Sequence, residues 1–256
     1  MLHRRLTLPL WLLASASSYA AHPLQTDDTG TQGTGHWQLE LNSDRTRSHD
    51  RAAATTSVAL DSNATLTRGC APALDIYANL PWSRQNNDDG AGGRTRVSGR
   101  GDAALGFKWR ALELNKLSFG LKTELTFPTG DDNRGLGVGR ANLGLTGLAN
   151  YELGDWTLLG NLTLKSNRAR TLASDQRHLI GGISIAALYR FAEPWRALAD
   201  IGTTQGATHS TAPSRYALIG LIFSPTETLD VDIGLRRNRQ GNVRETKVGA
   251  GMTVRF

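Results

Sequence analysis

Charged residues stand two positions apart in several short runs of this chain, such as Lys108-Trp109-Arg110 and Asp230-Val231-Asp232. Lys108, Arg110, Lys122, Glu124, Lys165, Arg190, Arg196, Asp200, Asp230, Asp232, Arg236 and Lys247 are candidates for one polar interior. Burying such groups unpaired is costly, so they must pair across strands or stay hydrated. A network of both signs can hold an interior together, or part of it can line a permeation path. A second set, Leu148, Leu159, Ile180, Leu188, Leu198, Ile219 and Leu221, is expected on the same inner side as an apolar stripe on the opposite wall. It would serve as a track for small apolar or aromatic solutes, or as packing against the N-terminal segment.

Catalytic chemistry finds less support. A nucleophilic hydrolase needs serine and histidine within hydrogen-bond reach, oriented by a third group. His36, His49, His178 and His209 are scattered, and His178 and Ser184 stand roughly 20 Å apart along one strand at about 3.3 Å per residue. No catalytic residue, metal site or cofactor is therefore expected. Asp27-Asp28 and Asp131-Asp132 lack the ligand ladder of a calcium loop and suit turns and caps. Gly135-Leu136-Gly137-Val138-Gly139 lacks the strand-to-helix setting of a dinucleotide fingerprint.

The elements that must position these residues read as strands. Side chains alternate faces along an extended chain, and the final residues show it: Val248, Ala250, Met252, Val254 and Phe256 share one side, Lys247, Gly249, Gly251, Thr253 and Arg255 the other. Leu229, Val231, Ile233 and Leu235 oppose Asp230, Asp232, Gly234 and Arg236 in the same way. About twelve such stretches follow residue 35, with long polar connections alternating with short ones. The long ones lie around 46–54, 84–100, 128–139, 167–176, 204–214 and 237–244. The fold class expected is all-β, a transmembrane antiparallel up-and-down β-barrel of about twelve strands, with long extracellular loops and short periplasmic turns. A soluble barrel would share the alternation, but aromatic placement favours a bilayer. Trp37, Trp82, Trp109, Trp156, Trp195 and Phe256 sit at strand ends around an aliphatic band, as an interfacial girdle requires.

Composition agrees. A mean hydropathy of −0.34 and 39 % hydrophobic residues suit a barrel whose lumenal positions are polar. Arg4 and Arg5, the apolar run Leu6 to Ala14, and Ser18-Tyr19-Ala20 form a secretory signal over residues 1–20. Its removal would lower the net charge from +6 to +4, since it carries two arginines and no acid. Residues 21–34 form a polar segment without a period, periplasmic or lumenal, and residues 35–256 the barrel. Cys70 is the one cysteine, so no intramolecular disulfide can form. The basic excess sits in presumed loops, Arg45, Arg47, Arg51, Arg84, Arg94, Arg96, Arg100, Arg134, Arg168 and Arg170. Those guanidinium groups suit lipopolysaccharide phosphates better than nucleic acid.

Three stretches carry a more specific resemblance: His22-Pro23-Leu24 with Thr26 to Gly33, Phe127-Pro128-Thr129-Gly130-Asp131, and Leu136-Gly137-Val138-Gly139-Arg140. With Gly101-Asp102, Gly106 to Arg110 and Ser224-Pro225-Thr226-Glu227, they resemble the outer-membrane transporter family labelled "MetA-pathway of phenol degradation". That resemblance implies an outer-membrane channel for passive uptake of small apolar or aromatic solutes. The alternatives are a non-transporting structural or adhesive barrel, or a membrane-embedded lipid hydrolase. The partners expected are a small-molecule solute, outer-membrane lipid with lipopolysaccharide, and the barrel-assembly machinery, which would read Phe256.

Overall fold

Alternation of apolar and polar side chains becomes thirteen antiparallel strands in the computed structural model, which describes residues 22–88, 93–170 and 175–256. The expected signal sequence lies outside the described residues. In chain order the strands are β1 (Trp37–Asp50), β2 (Thr55–Ala71), β3 (Leu74–Asp88), β4 (Arg94–Arg100), β5 (Ala104–Leu114), β6 (Leu117–Thr126), β7 (Asn142–Leu153), β8 (Trp156–Ser166), β9 (Leu179–Ala192), β10 (Trp195–Thr204), β11 (Ser214–Thr226), β12 (Leu229–Gln240) and β13 (Val243–Arg255). Each pairs with its neighbours in sequence, apart from one local departure at β4, and β13 returns to β1. At that seam Trp37 and Phe256 exchange backbone hydrogen bonds of 2.7 and 2.9 Å, so the last residue closes the cylinder.

Twelve strands form the barrel and β4 is additional. The lower part of β3, Leu74 to Asn79, pairs with β5, whereas its upper part, Trp82 to Asp88, pairs with β4. The 84–100 region, expected as a loop, thus holds a hairpin that prolongs the wall. The regions 46–54 and 237–244 are likewise mostly strand: β1 and β2 join through Arg51–Ala54, and β12 and β13 through Gly241-Asn242. Gly241 takes φ of 56°, a left-handed conformation that glycine adopts without penalty. A short 3-10 turn, Asp132–Arg134, lies in the β6–β7 connection.

Outside, the strands present an aliphatic belt. Leu105, Leu162, Ile183, Ile185, Ile201, Ile219 and Ile233 are each more than half exposed. A band of that kind around a closed barrel suits contact with hydrocarbon, because soluble monomers rarely leave so wide an apolar surface in water. The aromatic residues are distributed less evenly than expected. Trp37, Trp109, Trp156, Trp195 and Phe256 gather at the end with the short turns, where Trp156 stacks on Tyr189 at 4.5 Å and Trp195 meets Phe223 at 4.6 Å. Trp82 stands apart, in the half of β3 toward the long loops.

The inner register requires one correction. Ile219 and Leu221, expected in the lumen, point outward at 62 % and 40 % exposure. β11 is apolar on both faces, so periodicity alone could not fix its parity. Pairing of Asp232 with Ile222 and of Arg236 with Leu218 puts Leu218 and Ile222 inside, because directly paired residues share a face.

Candidate functional site

The lumen holds the N-terminal segment. From β1 the chain runs back through residues 34 to 22, across the inside of the barrel, and most of its residues between Pro23 and Thr31 are buried. Most of its contacts pair polar groups of the segment with polar groups of the wall, and Pro23 and Leu24 add apolar ones.

Nearest the turn end, the Gln32 amide donates to both oxygens of Asp75 at 3.1 Å, and the Thr31 hydroxyl donates to the Pro72 carbonyl at 2.9 Å. Thr29 shares a hydroxyl bond with Ser118 at 2.5 Å. Next comes the strongest electrostatic contact. Lys108 and Lys122 are directly paired across β5 and β6, an arrangement of like charges that is unfavourable by itself. Asp27 resolves it, accepting from Lys108 at 3.3 Å and Lys122 at 2.6 Å, while Asp28 accepts from Lys108 at 3.0 Å. Burial would raise the Asp27 carboxyl, but the two ammonium groups outweigh it and hold that carboxyl well below the usual range. Asn161, with its amide turned to suit, accepts from the Asp27 N–H at 2.7 Å and donates to its carbonyl at 2.9 Å.

Further along, the backbone amides of Gln25 and Thr26 donate to Asp200 at 2.7 and 2.9 Å, and the Thr26 hydroxyl donates to the same carboxylate at 2.8 Å. Tyr216 adds a fourth donor to Asp200 at 2.9 Å. Leu24 enters an apolar cluster of Leu159, Ala186, Leu188, Leu198, Leu218 and Ile222. Pro23 rests on Gly220 and Gly234, where an added Cβ would come within 3.0 and 2.5 Å of its ring. His22 hydrogen-bonds Asp232 closely and faces Asp44 at 3.5 Å, with Lys247 on the far side of Asp44 at 3.2 Å. Burial would lower the His22 pKa, but hydrogen bonds to Asp232 and Asp44 raise it to about 9.

Beside the segment an open space of about 340 Å³ remains along β1 to β3. Gln38, Glu40, Asn42, Asn63, Thr65, Asn79 and Glu124 line it, with Tyr77 and Leu24 as its main apolar surfaces. Its wall is thus mostly carboxamide, hydroxyl and carboxylate. The Tyr77 hydroxyl donates to the Thr123 carbonyl at 2.9 Å, which fixes its ring against the cavity.

The expected charged network divides into distinct roles. Lys108, Lys122, Asp200 and Asp232 hold the N-terminal segment, and Lys247 supports it through Asp44. Asp230 instead joins Arg196 at 3.3 Å and Arg255 at 2.7 Å beneath it, as an internal strut of the wall. The Glu124 carboxylate lies 3.4 Å from the Tyr77 hydroxyl, and the Arg236 guanidinium lies 5.8 Å from the Tyr216 ring. Arg110 pairs with Glu113 at 3.2 Å, and Arg190 bonds Asp155 and Glu193 at an exposed turn, away from the lumen. Lys165 stands exposed at the loop end, in a separate recess with Ile180, Leu136 and Val138. In the apolar stripe Leu159, Leu188 and Leu198 pack on Leu24, and Leu148 is buried near Thr29. The expectation omitted Leu24, Asp27, Asp44, Asp75 and Tyr77. One signal was available for Asp27: two lysines at paired lumenal slots demand a carboxylate from elsewhere.

A family model described as "Putative MetA-pathway of phenol degradation" matches residues 20–256. No curated protein sequence matches the chain. An outer-membrane channel from Pseudomonas putida F1 superposes with a TM-score of 0.72 at 18 % identity, over 90 % of this chain and 98 % of that one. The β domain of the Bordetella autotransporter BrkA gives 0.59 at 15 % identity, over 88 % and 100 %. The monoaromatic hydrocarbon channel CymD gives 0.51 at 11 %, over 87 % and 88 %. At these identities the likeness is one of fold.

Proposed function

Since the chain belongs to the MetA-pathway phenol-degradation family, we propose that it is a bacterial outer-membrane channel for passive uptake of small aromatic or apolar solutes. The carrying observation is the 340 Å³ space left beside the inserted segment inside a closed, lipid-belted cylinder. Apolar wall residues that could have formed an open track are covered by Leu24, so the free lumen is its polar side. A solute crossing there gains most if a flat apolar body can pass Tyr77 and Leu24 while a hydroxyl meets the carboxamides. Small hydroxylated aromatics fit that description, and the family description supports the same class. Names of similar structures, CymD among them, support channel over enzyme.

Polarity of the lining also supports a second reading, a narrow path for small polar solutes. Liposome swelling with purified protein separates the two: faster entry of phenol-sized hydroxylated aromatics than of sugars of equal size supports the first. No swelling with any solute would favour a structural or adhesive barrel.

In this reading the short turns face the periplasm and residues 1–20 are cleaved. Uncleaved, they would have to be accommodated beyond His22, which is enclosed by Asp44, Asp232, Gly249 and Gly251. Phe256, which seals the seam with Trp37, is the feature that the assembly machinery would read.

A further inference from the structure

Above the aliphatic belt, one side of the barrel replaces aromatic residues with arginine. Arg215 on β11 pairs directly with Arg239 on β12, and Arg239 with Arg244 on β13. Arg244 in turn pairs with His49 on β1. All four are exposed. Their side chains point outward, because Tyr216, Asn238, Glu245 and Asp50, the positions between, belong to the inner face. One level lower, two residues toward the belt, Arg237 and Arg47 continue the basic face. Below that lie Ile219, Leu235 and Val248.

Like charges opposed across antiparallel strands repel at about 5 Å. Among the described residues none of these arginines has a carboxylate within 4 Å, and outward positions of β11 to β2 above Ile219 include no acid. An external anion would therefore relieve the repulsion within this row of three adjacent guanidinium groups. Depth in the bilayer specifies which kind. The row lies within two strand levels of the apolar belt, where headgroup phosphates sit. Immediately beside Arg215, on the lipid-facing surface, is an apolar groove of about 510 Å³ bordered by Ile183, Ile185, Ile201 and Thr203. Phosphate recognition and an acyl-chain seat are thus contiguous.

We infer that this face binds a phosphorylated glycolipid of the outer leaflet, with Arg215, Arg239 and Arg244 on its phosphates and an acyl chain in the groove. Bidentate geometry favours arginine over lysine for phosphate, and desolvation at the headgroup boundary strengthens each contact. The inference rests on the outer-membrane orientation proposed above, but not on whether the lumen conducts.

Native mass spectrometry of the purified barrel titrated with bisphosphorylated lipid A tests it. Wild-type protein should retain the lipid, and an Arg215→Ser/Arg239→Ser/Arg244→Ser variant should bind at least about tenfold more weakly. Arg94→Ser/Arg96→Ser, on β4, should bind like wild type. If the triple variant does not assemble, Arg239→Ser, flanked by both other arginines, carries the test. Equal binding by the triple variant, by dephosphorylated lipid A, or by phosphatidylglycerol in place of the glycolipid would overturn the assignment. Because binding is read without conduction, its failure leaves the channel reading to stand or fall by liposome swelling.

Discussion

Asp27 shows how much one carboxylate can organise. It neutralises Lys108 and Lys122, which the sheet register forces together, and its own backbone is held by Asn161. Asp27→Asn leaves both ammonium groups with Asp28 as the remaining nearby anion of the segment, and should weaken docking of residues 22–32 by about 3 kcal/mol. Hydrogen exchange over that stretch would measure the loss. His22 makes the same seating sensitive to base. Its pKa is raised from 6.5 to about 9, so its contribution is complete below 6.5 and fades as the pH rises through about 9. The groups facing it are Asp232 and Asp44, with Lys247 behind Asp44. Exchange across residues 22–32 should therefore quicken between those limits, and His22→Gln should remove that step. Neither role was legible from the residue alone. An Asp-Asp pair in a polar stretch reads as a turn, because its counter-ions lie 81 and 95 positions away in sequence.

At the level of elements, what was legible depended on how cleanly each strand alternates. β12 separates Asp230 and Asp232 from Val231, Ile233 and Leu235, and its lumenal face follows directly. β11 carries Leu218, Ile219, Leu221 and Ile222 in near succession, so its register is set by pairing with β10 and β12 rather than by its own pattern. The β4 hairpin was hidden because Arg94 to Arg100 is polar on both faces. The inserted segment has no period at all, being held by buried polar contacts and one leucine. Its dependence on small neighbours gives a sharp prediction. Gly234→Leu would drive a side chain into Pro23, whose Cβ is 2.5 Å from the position of an added Cβ. It should expose residues 22–32 to added protease while leaving the barrel's resistance to unfolding in detergent largely unchanged, since β12 keeps its ladders to β11 and β13.

For the whole molecule, the arrangement divides labour around the cylinder. Strands β8 to β11 supply the apolar wall that receives Leu24, β5 and β6 supply the cations that receive Asp27, and β1 to β3 border the open space. The barrel's strand character and its lipid-facing belt could be read from alternation, because the pattern recurs in most of the wall strands, whereas closure rests on the single β1–β13 seam. The lumen's contents could not, since they depend on one unrepeated segment meeting residues from most of the wall. Small passages of this kind are sensitive to single side chains. Single-channel conductance in planar bilayers tests the central claim most directly, comparing the wild-type chain with one lacking residues 22–32. The account predicts small discrete steps from the wild type and steps several-fold larger from the shortened chain. Absence of steps from both folded proteins, or identical steps from the two, would contradict it.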